Sequence, residues 1–346
     1  MKKYNLQLTP SGTELFRPEE PGSKSIAVLM SGGADSSVAA HLLKETGWNV
    51  VALTMKIPVS CDAQNHENQG TDAAAVCREL NLPHYLVDVT GPFEELIIEP
   101  FRRSYRKGWT PNPCADCNAE LKFGLLWDFL VEKFGISHIA TGHYARIVKT
   151  NGRAFLARAA DKSKDQSYFL YGTRPDKIDK LVFPLGDLTK QQVRSIAAEL
   201  SLPVAERPES MELCFAGEGD YRGLFAENEL NQQGLIQNTQ GGAIGTHKGI
   251  ANYTIGQRRG IGFAGGEPLY VAGIDAGANT ITLGRRKEVS HSVIKANRIN
   301  VLVPERLKPG QNLFGKIRSY GRAHPCRLIE ADDENITVRF NQPVFA

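Results

Sequence analysis

Two stretches of this 346-residue chain combine residue types and spacings that suit chemistry. Cys114 and Cys117 form a Cys-x-x-Cys pair in TPNPCADCN, set between prolines just ahead of a helix that Asn118 is placed to cap. A thiol at a helix N-terminus ionises more readily than a free one, so reactive thiolates are the expectation there. Upstream, MSGGADSS (Met30 to Ser37) joins a short apolar run to a helical one. Its glycine pair lets the backbone approach an anion, and the helix N-terminus supplies free N–H groups and positive dipole. Ser31, Ser36 and Ser37 add hydroxyl donors. Asp35 makes sense beside phosphates if Mg²⁺ bridges it to them. The blander reading of a lone SGG is a glycine turn before a capped helix. Cys214, in ELCF, reads by itself as a small buried hydrophobe, and Cys77 as a core residue of an amphipathic helix.

The elements that must hold these residues follow from periodicity. SIAVLM (Ser25 to Met30), NVVALTMKI (Asn49 to Ile57), HYLVDV (His84 to Val89) and SHIATGHY read as strands. SSVAAHLLKETG, TDAAAVCREL, PFEELIIEPFRRSYRKG and NAELKFGLLWDFLVEKFG read as helices between or beside them. Such alternation predicts an α/β fold with a doubly wound parallel sheet, whose ligand site lies at the carboxyl ends of the strands. Residues 1–24 read as a weakly structured leader. From about Glu218 glycine-rich turns and alternating segments take over, with LYVAGIDAGANTITLG as a hairpin. The expected division is a leader (1–24), a catalytic domain (25–217), a connecting module (218–280) and a C-terminal antiparallel β-barrel (281–346). The chain stops at FNQPVFA, directly after a strand-like run, which reads as a truncated last domain.

Composition narrows the class. No apolar run approaches the ~18 to 20 residues of a membrane span, and the polar first residues do not form a signal sequence, so a cytoplasmic, non-membrane protein is expected. Six cysteines in a chain of this length do not make a disulfide scaffold. A net charge of +3 permits a nucleic-acid partner without demanding one.

MSGGADSS resembles the SGGxDS loop of the ATP-pyrophosphatase class, which cleaves ATP between its α and β phosphates. TPNPCADCN, ATGHYAR, KDQSYFLY, ELCFAGEGDY and YTIGQRRGIG follow in order. With that loop they resemble the tRNA-specific 2-thiouridylases of bacterial and organellar type, and the resemblance runs from about Ser25 to the end. It implies an adenine nucleotide alpha-hydrolase-like catalytic domain that binds ATP through Leu29, Met30, Ser31, Gly32, Gly33, Ala34, Asp35, Ser36, Met55 and Gly142. It implies a target base over Asn112, Pro113 and Cys114, and tRNA contacts by Lys164, Asp165 and Gln166 and by Arg318 and Ser319. The chain departs from the family pattern in MKIPVSCDAQNHENQG and in KIRSYGRAHPC, the segment that contains Arg318 and Ser319.

The implied activity is ATP-dependent 2-thiolation of uridine at the wobble position of tRNA. Uridine O2 attacks the α phosphate, pyrophosphate leaves, and a sulfur nucleophile displaces AMP from carbon 2. The resemblance makes Cys117 a nucleophile and Cys214 the persulfide carrier, with Asp35 serving the phosphate step. Some relatives carry Asp where this chain has Cys114, so two sulfur routes stand open. One is a persulfide relay closing on a disulfide. The other is a [4Fe-4S] cluster on Cys114, Cys117 and Cys214 that binds hydrosulfide. Zinc is a third option, with no fourth ligand evident. The partners implied are tRNA and either a sulfur-donor protein or hydrosulfide. Competing functions are an amide-forming synthetase with the same loop, which leaves the Cys-x-x-Cys idle, and a tRNA-binding protein without catalysis.

Overall fold

The computed structural model describes residues 4–12, 14–17, 24–58, 70–202, 204, 213–216, 220–263 and 266–345. These group into two units, Met1–Ile97 with Cys114–Gly219, and Ile98–Pro113 with Asp220–Ala346. Cys61, in the stretch MKIPVSCDAQNHENQG, lies outside the described residues.

The first unit is threaded by eight strands: β1 (Gln7–Pro10), β2 (Ser25–Leu29), β3 (Asn49–Lys56), β4 (His84–Asp88), β5 (His138–Thr141), β6 (Ala145–Thr150), β7 (Arg153–Arg158) and β8 (Leu181–Val182). Six of them form one sheet in the order β1-β4-β3-β2-β5-β8. All neighbours are parallel except β1, which pairs antiparallel with β4. Sequence-adjacent strands β2, β3 and β4 run one way from the centre, and β5 returns to the other side of β2. The direction of winding therefore reverses between β2 and β5, and the crevice at their carboxyl ends is where an α/β sheet of this kind takes its ligand.

Strand β2 is apolar at every inner position because both of its faces are covered. Ile26 and Val28 enter a core shared with Val38 and Leu43 of α1 (Ala34–Glu45), Val76 of α2 (Thr71–Glu79) and, from late in the chain, Val193. Ala27 and Leu29, on the opposite face by the period of two, are buried as well.

After β4 the chain winds through Thr90–Phe93, a π-helical turn Glu94–Ile98 and α3 (Glu99–Arg106). It resumes as a short helix Pro113–Asp116, a ten-residue π-helical stretch Cys117–Leu126 and a helix Trp127–Phe134. Later comes α4 (Lys190–Glu199), which packs on α1 and opens with a capping box between Thr189 and Gln192.

Two features differ from the sequence reading. Part of the expected leader is a strand: β1 adds to the sheet edge, and Leu6 and Phe16 are buried, Phe16 edge-on against Phe134. The antiparallel hairpin β6–β7 was not anticipated, although its turn residues Asn151 and Gly152, both at positive φ, are a strong hairpin signal.

The second unit contains α3 and two four-stranded sheets. Strands β9 (Gly234–Asn238), β10 (Ala243–His247), β11 (Tyr270–Asp275) and β12 (Thr280–Gly284) form a sheet in the order β10-β9-β12-β11, with the expected hairpin as β11–β12. Strands β13 (Ser290–Asn297), β14 (Asn312–Gly315), β15 (His324–Ala331) and β16 (Asn335–Phe345) form an antiparallel sheet in the order β13-β16-β15-β14. Among the described residues no helix is long and apolar enough to cross a membrane.

Candidate active site

Residues Met30 to Ser37 leave β2 at its carboxyl end and enter α1. Gly33 occupies the helix N-cap in extended conformation and contributes no side-chain acceptor, so the first amides of α1 carry no side-chain cap. The serines shape the loop from inside: the Ser31 amide donates to Ser36 Oγ at 3.1 Å, and Ser36 and Ser37 hydroxyls donate to the Gly33 carbonyl at 3.1 and 2.9 Å. Ser36 and Ser37 are buried, which makes them loop-formers, while Ser31 is exposed.

A buried chain holds the loop from behind. The single hydroxyl proton of Thr54 goes to the Met30 carbonyl at 3.1 Å, so the 2.9 Å contact between Thr54 Oγ1 and His84 Nε2 requires the proton on Nε2. His84 Nδ1 is left buried without a partner, and burial pulls the imidazole down to about 4.

Strand β5 delivers the second wall. A Cβ on Gly142 would meet the Ser36 amide nitrogen at 2.8 Å and the Asp35 carbonyl carbon at 2.9 Å, so this backbone-on-backbone approach accepts glycine alone. Leu29 and Met30 are buried, and Met55 is half-buried one strand away. His143 bonds Thr141 Oγ1 through Nδ1 at 2.7 Å. Burial first, then the charge of Lys122, pulls its imidazole down to about 3, so it is neutral at physiological pH.

The Asp35 carboxylate is only partly exposed and already has partners. Lys190 Nζ donates to both of its oxygens, at 2.7 and 2.8 Å, and the Tyr144 hydroxyl donates to Oδ1 at 2.9 Å. Lys190 is the first residue of α4, its side chain only 12% exposed, and its backbone amide is itself held by Asp161. Lys190 went unnoticed in the sequence. Its signal was the Thr-Lys-Gln-Gln helix start, which fixes a lysine rigidly at a helix N-terminus, where the dipole alone would disfavour it.

The three motif cysteines belong to the first unit, and each sulfur enters the electrostatic surroundings of another. Cys117 is 7% exposed, whereas Cys114 and Cys214 reach solvent. The expected easy ionisation is corrected here. Burial raises the Cys114 and Cys117 thiols, and it pushes Cys214 up to about 12 even though that side chain touches water. A thiol exposed at its tip yet surrounded by protein loses bulk hydration of the thiolate. Among the described residues, Lys122 is the cation that lowers all three.

Asn118 is not a cap. The helix has already begun at Pro113, and the buried Asn118 amide donates to the Phe169 carbonyl while its oxygen accepts from Lys122 at 2.9 Å. The π-helical winding, with its i→i+5 bonds, brings Lys122 along the axis from Cys117, a relation that an α-helical reading of NAELKFG does not give.

Among the described residues, no group of three His, Cys, Asp or Glu side chains meets with metal-binding geometry.

In the KDQ segment, Gln166 and Tyr144 exchange hydrogen bonds through the Gln166 side chain (2.9 Å) and amide (2.8 Å). Asp165 accepts from the Ala159 and Ser167 amides and from the Ser167 hydroxyl. Both side chains thus serve the local fold, and Lys164 is the cation of the segment. Asn112 and Pro113 fall in the second unit, half-buried and buried. Arg318 and Ser319 belong there too, with the Arg318 guanidinium 4.8 Å from the Phe345 ring.

The chain matches a family model described as the tRNA methyl transferase HUP domain over residues 24–218, and one described as the tRNA methyl transferase PRC-barrel domain over residues 225–285. It is 37% identical over 335 residues to the tRNA-specific 2-thiouridylase MnmA of Lachnoclostridium phytofermentans, covering 92% of each chain. The protein of the same name from Azorhizobium caulinodans is 40% identical over 346 residues, covering 96% of this chain and 86% of that one. The chain belongs to the tRNA-specific 2-thiouridylase family. The fold expectation is met by the HUP domain with its parallel sheet, the PRC-barrel match and the antiparallel sheet that ends the chain.

Proposed function

We propose that this chain, an ATP-dependent tRNA uridine sulfurtransferase by family, thiolates carbon 2 of the wobble uridine through a persulfide relay between Cys214 and Cys117. The observation that supports the relay is the state of the thiols: they share one environment and are held protonated by burial. A persulfide ionises far more easily than a buried thiol, so loading sulfur onto Cys214 supplies the nucleophile that the bare cysteines do not.

ATP sits with its phosphates at the N-terminus of α1. Mg²⁺ would need only one or two protein carboxylates besides the substrate phosphates, and the partly exposed Asp35 would be one of them. Uridine O2 attacks the α phosphorus and pyrophosphate leaves. The terminal persulfide sulfur on Cys214 attacks carbon 2, and AMP departs with the former O2, a far better leaving group than an oxide. Cys117 then attacks the Cys214 sulfur, the S–S bond breaks, and the outer sulfur stays on carbon 2 as the thiocarbonyl. The resulting Cys117–Cys214 disulfide is reduced by an external dithiol. A persulfide-bearing donor protein reloads Cys214, and Lys164 contributes to phosphate contact with the tRNA.

The test is Cys114→Ala, assayed for tRNA thiolation beside anaerobic iron and sulfide analysis. The relay predicts measurable activity in iron-free protein, with sulfur trapped on Cys214, and complete loss in Cys117→Ala and Cys214→Ala. About four irons per chain that vanish with activity in Cys114→Ala would replace the relay with a cluster. A protein that exchanges pyrophosphate with a small carboxylic acid and needs no tRNA would be a synthetase instead.

A further inference from the structure

Helix α3 ends in a cap that holds one large aromatic side chain in water. The Trp109 amide donates to the Ser104 carbonyl and the Gly108 amide to the Tyr105 carbonyl, each at 2.9 Å, with Gly108 at φ +73°. This is the Schellman pair of bonds, with Trp109 at the position whose side chain ordinarily folds back onto the last helical turn.

Around Trp109 the backbone is pinned. A Cβ on Gly108 would lie 2.7 Å from the Ile274 carbonyl oxygen and 2.8 Å from its Cγ2, so only glycine fits between the cap and β11. Beyond the tryptophan, the Ile255 amide donates to Thr110 Oγ1 at 3.2 Å.

Trp109 itself is 63% exposed, and Lys107 Nζ stands 5.1 Å from its ring centroid. The basic run RRSYRKG ends beside it. Of these cations, Arg106 is committed to Glu229 and Arg102 to the Leu224 carbonyl, while Arg103 and Lys107 are exposed. An indole on a rigid mount, flanked by solvated cations, has the parts of a stacking platform for single-stranded nucleic acid: a flat apolar face at low ordering cost and charge for the neighbouring phosphate. Trp109 precedes Cys114 by five residues, so connectivity alone keeps them within ~18 Å.

We propose that Trp109 stacks on an unpaired base of the tRNA that flanks the target uridine, with Lys107 meeting the adjoining phosphate. The inference rests on the tRNA-thiolation reading and adds to it a base contact on the second unit.

The full chain should be titrated with an unmodified tRNA transcript and, separately, with a fully paired RNA duplex, following tryptophan fluorescence and affinity. The transcript should quench the emission strongly and the duplex should not. Trp109→Phe should lose the quench while binding within about threefold of wild type, and Trp109→Ala should bind about tenfold more weakly. ATP affinity should be unchanged in both. A quench that persists in Trp109→Phe, or unaltered tRNA affinity in Trp109→Ala, overturns the proposal, as does a loss confined to a sulfur-donor protein. If the wild-type chain binds no tRNA at all, the tRNA-thiolation reading itself falls and the platform falls with it.

Discussion

The phosphate loop and the cysteine site occupy the same unit but are prepared to different degrees. Around the loop the side chains that shape it are already paired: serine hydroxyls on Gly33, Thr54 on Met30, and Asp35 with Lys190 and Tyr144. Around the cysteines one lysine serves three thiols whose burial opposes ionisation. On the proposed reading, nucleotide activation is preorganised in the free protein, whereas sulfur chemistry waits for a group brought from outside. On that reading the two halves are separable by mutation.

The sharpest break should come at Lys190. Lys190→Ala leaves the Asp35 carboxylate with only the Tyr144 hydroxyl and removes the cation at the loop mouth. Pyrophosphate release should fall about 100-fold or more, with tRNA affinity within a few fold and the alkylation rate of Cys114 unchanged. Asp35→Asn should do likewise. If either variant also changed the cysteine alkylation rate, the two halves would not be independent.

Lys122 tests the other half. Lys122→Gln keeps a donor for Asn118 but removes the shared positive charge, so the three thiols should ionise less readily. Iodoacetamide should modify the exposed Cys114 several-fold more slowly at pH 8, and the pH profile of the reaction should move upward. ATP binding should not respond. An unshifted profile would show that the thiols do not feel this lysine.

Acid should reach the loop through its buried support. The folded His84 titrates near 4 and an unfolded histidine near 6.5, so below pH 6.5 the unfolded chain binds more protons. Stability is therefore complete above about pH 6.5 and is lost as the pH falls toward 4. Urea denaturation at pH 7 and pH 5.5 should show a decrease of about 1 kcal/mol from this residue. His84→Gln should remove that share; an identical pH dependence in the variant would assign the acid sensitivity elsewhere, His143 being the next candidate.

Much of the molecule was legible without coordinates. Strand β2 is apolar at every inner position because it is covered on both faces, and that is a local property of SIAVLM. The loop could be read because a glycine pair between a strand and a helix has few uses, and LYVAGIDAGANTITLG could be read because hairpins are made by neighbouring residues. The family followed from six ordered motifs, each a string of adjacent residues.

What stayed hidden depends on residues far apart in sequence or on backbone winding that composition does not encode. Nothing near Asp35 in sequence announces Lys190, because the order of strands and helices, decided by burial, brings α4 against α1. The expected low thiol pKa inverted because helix position is local, whereas desolvation is set by everything that packs around a side chain. Lys122 became the cation of the cysteine site because the stretch from Cys117 winds as a π-helix. Residue types and short spacings determined which chemistry this chain carries; only tertiary burial decided which of those groups are charged, paired and ready.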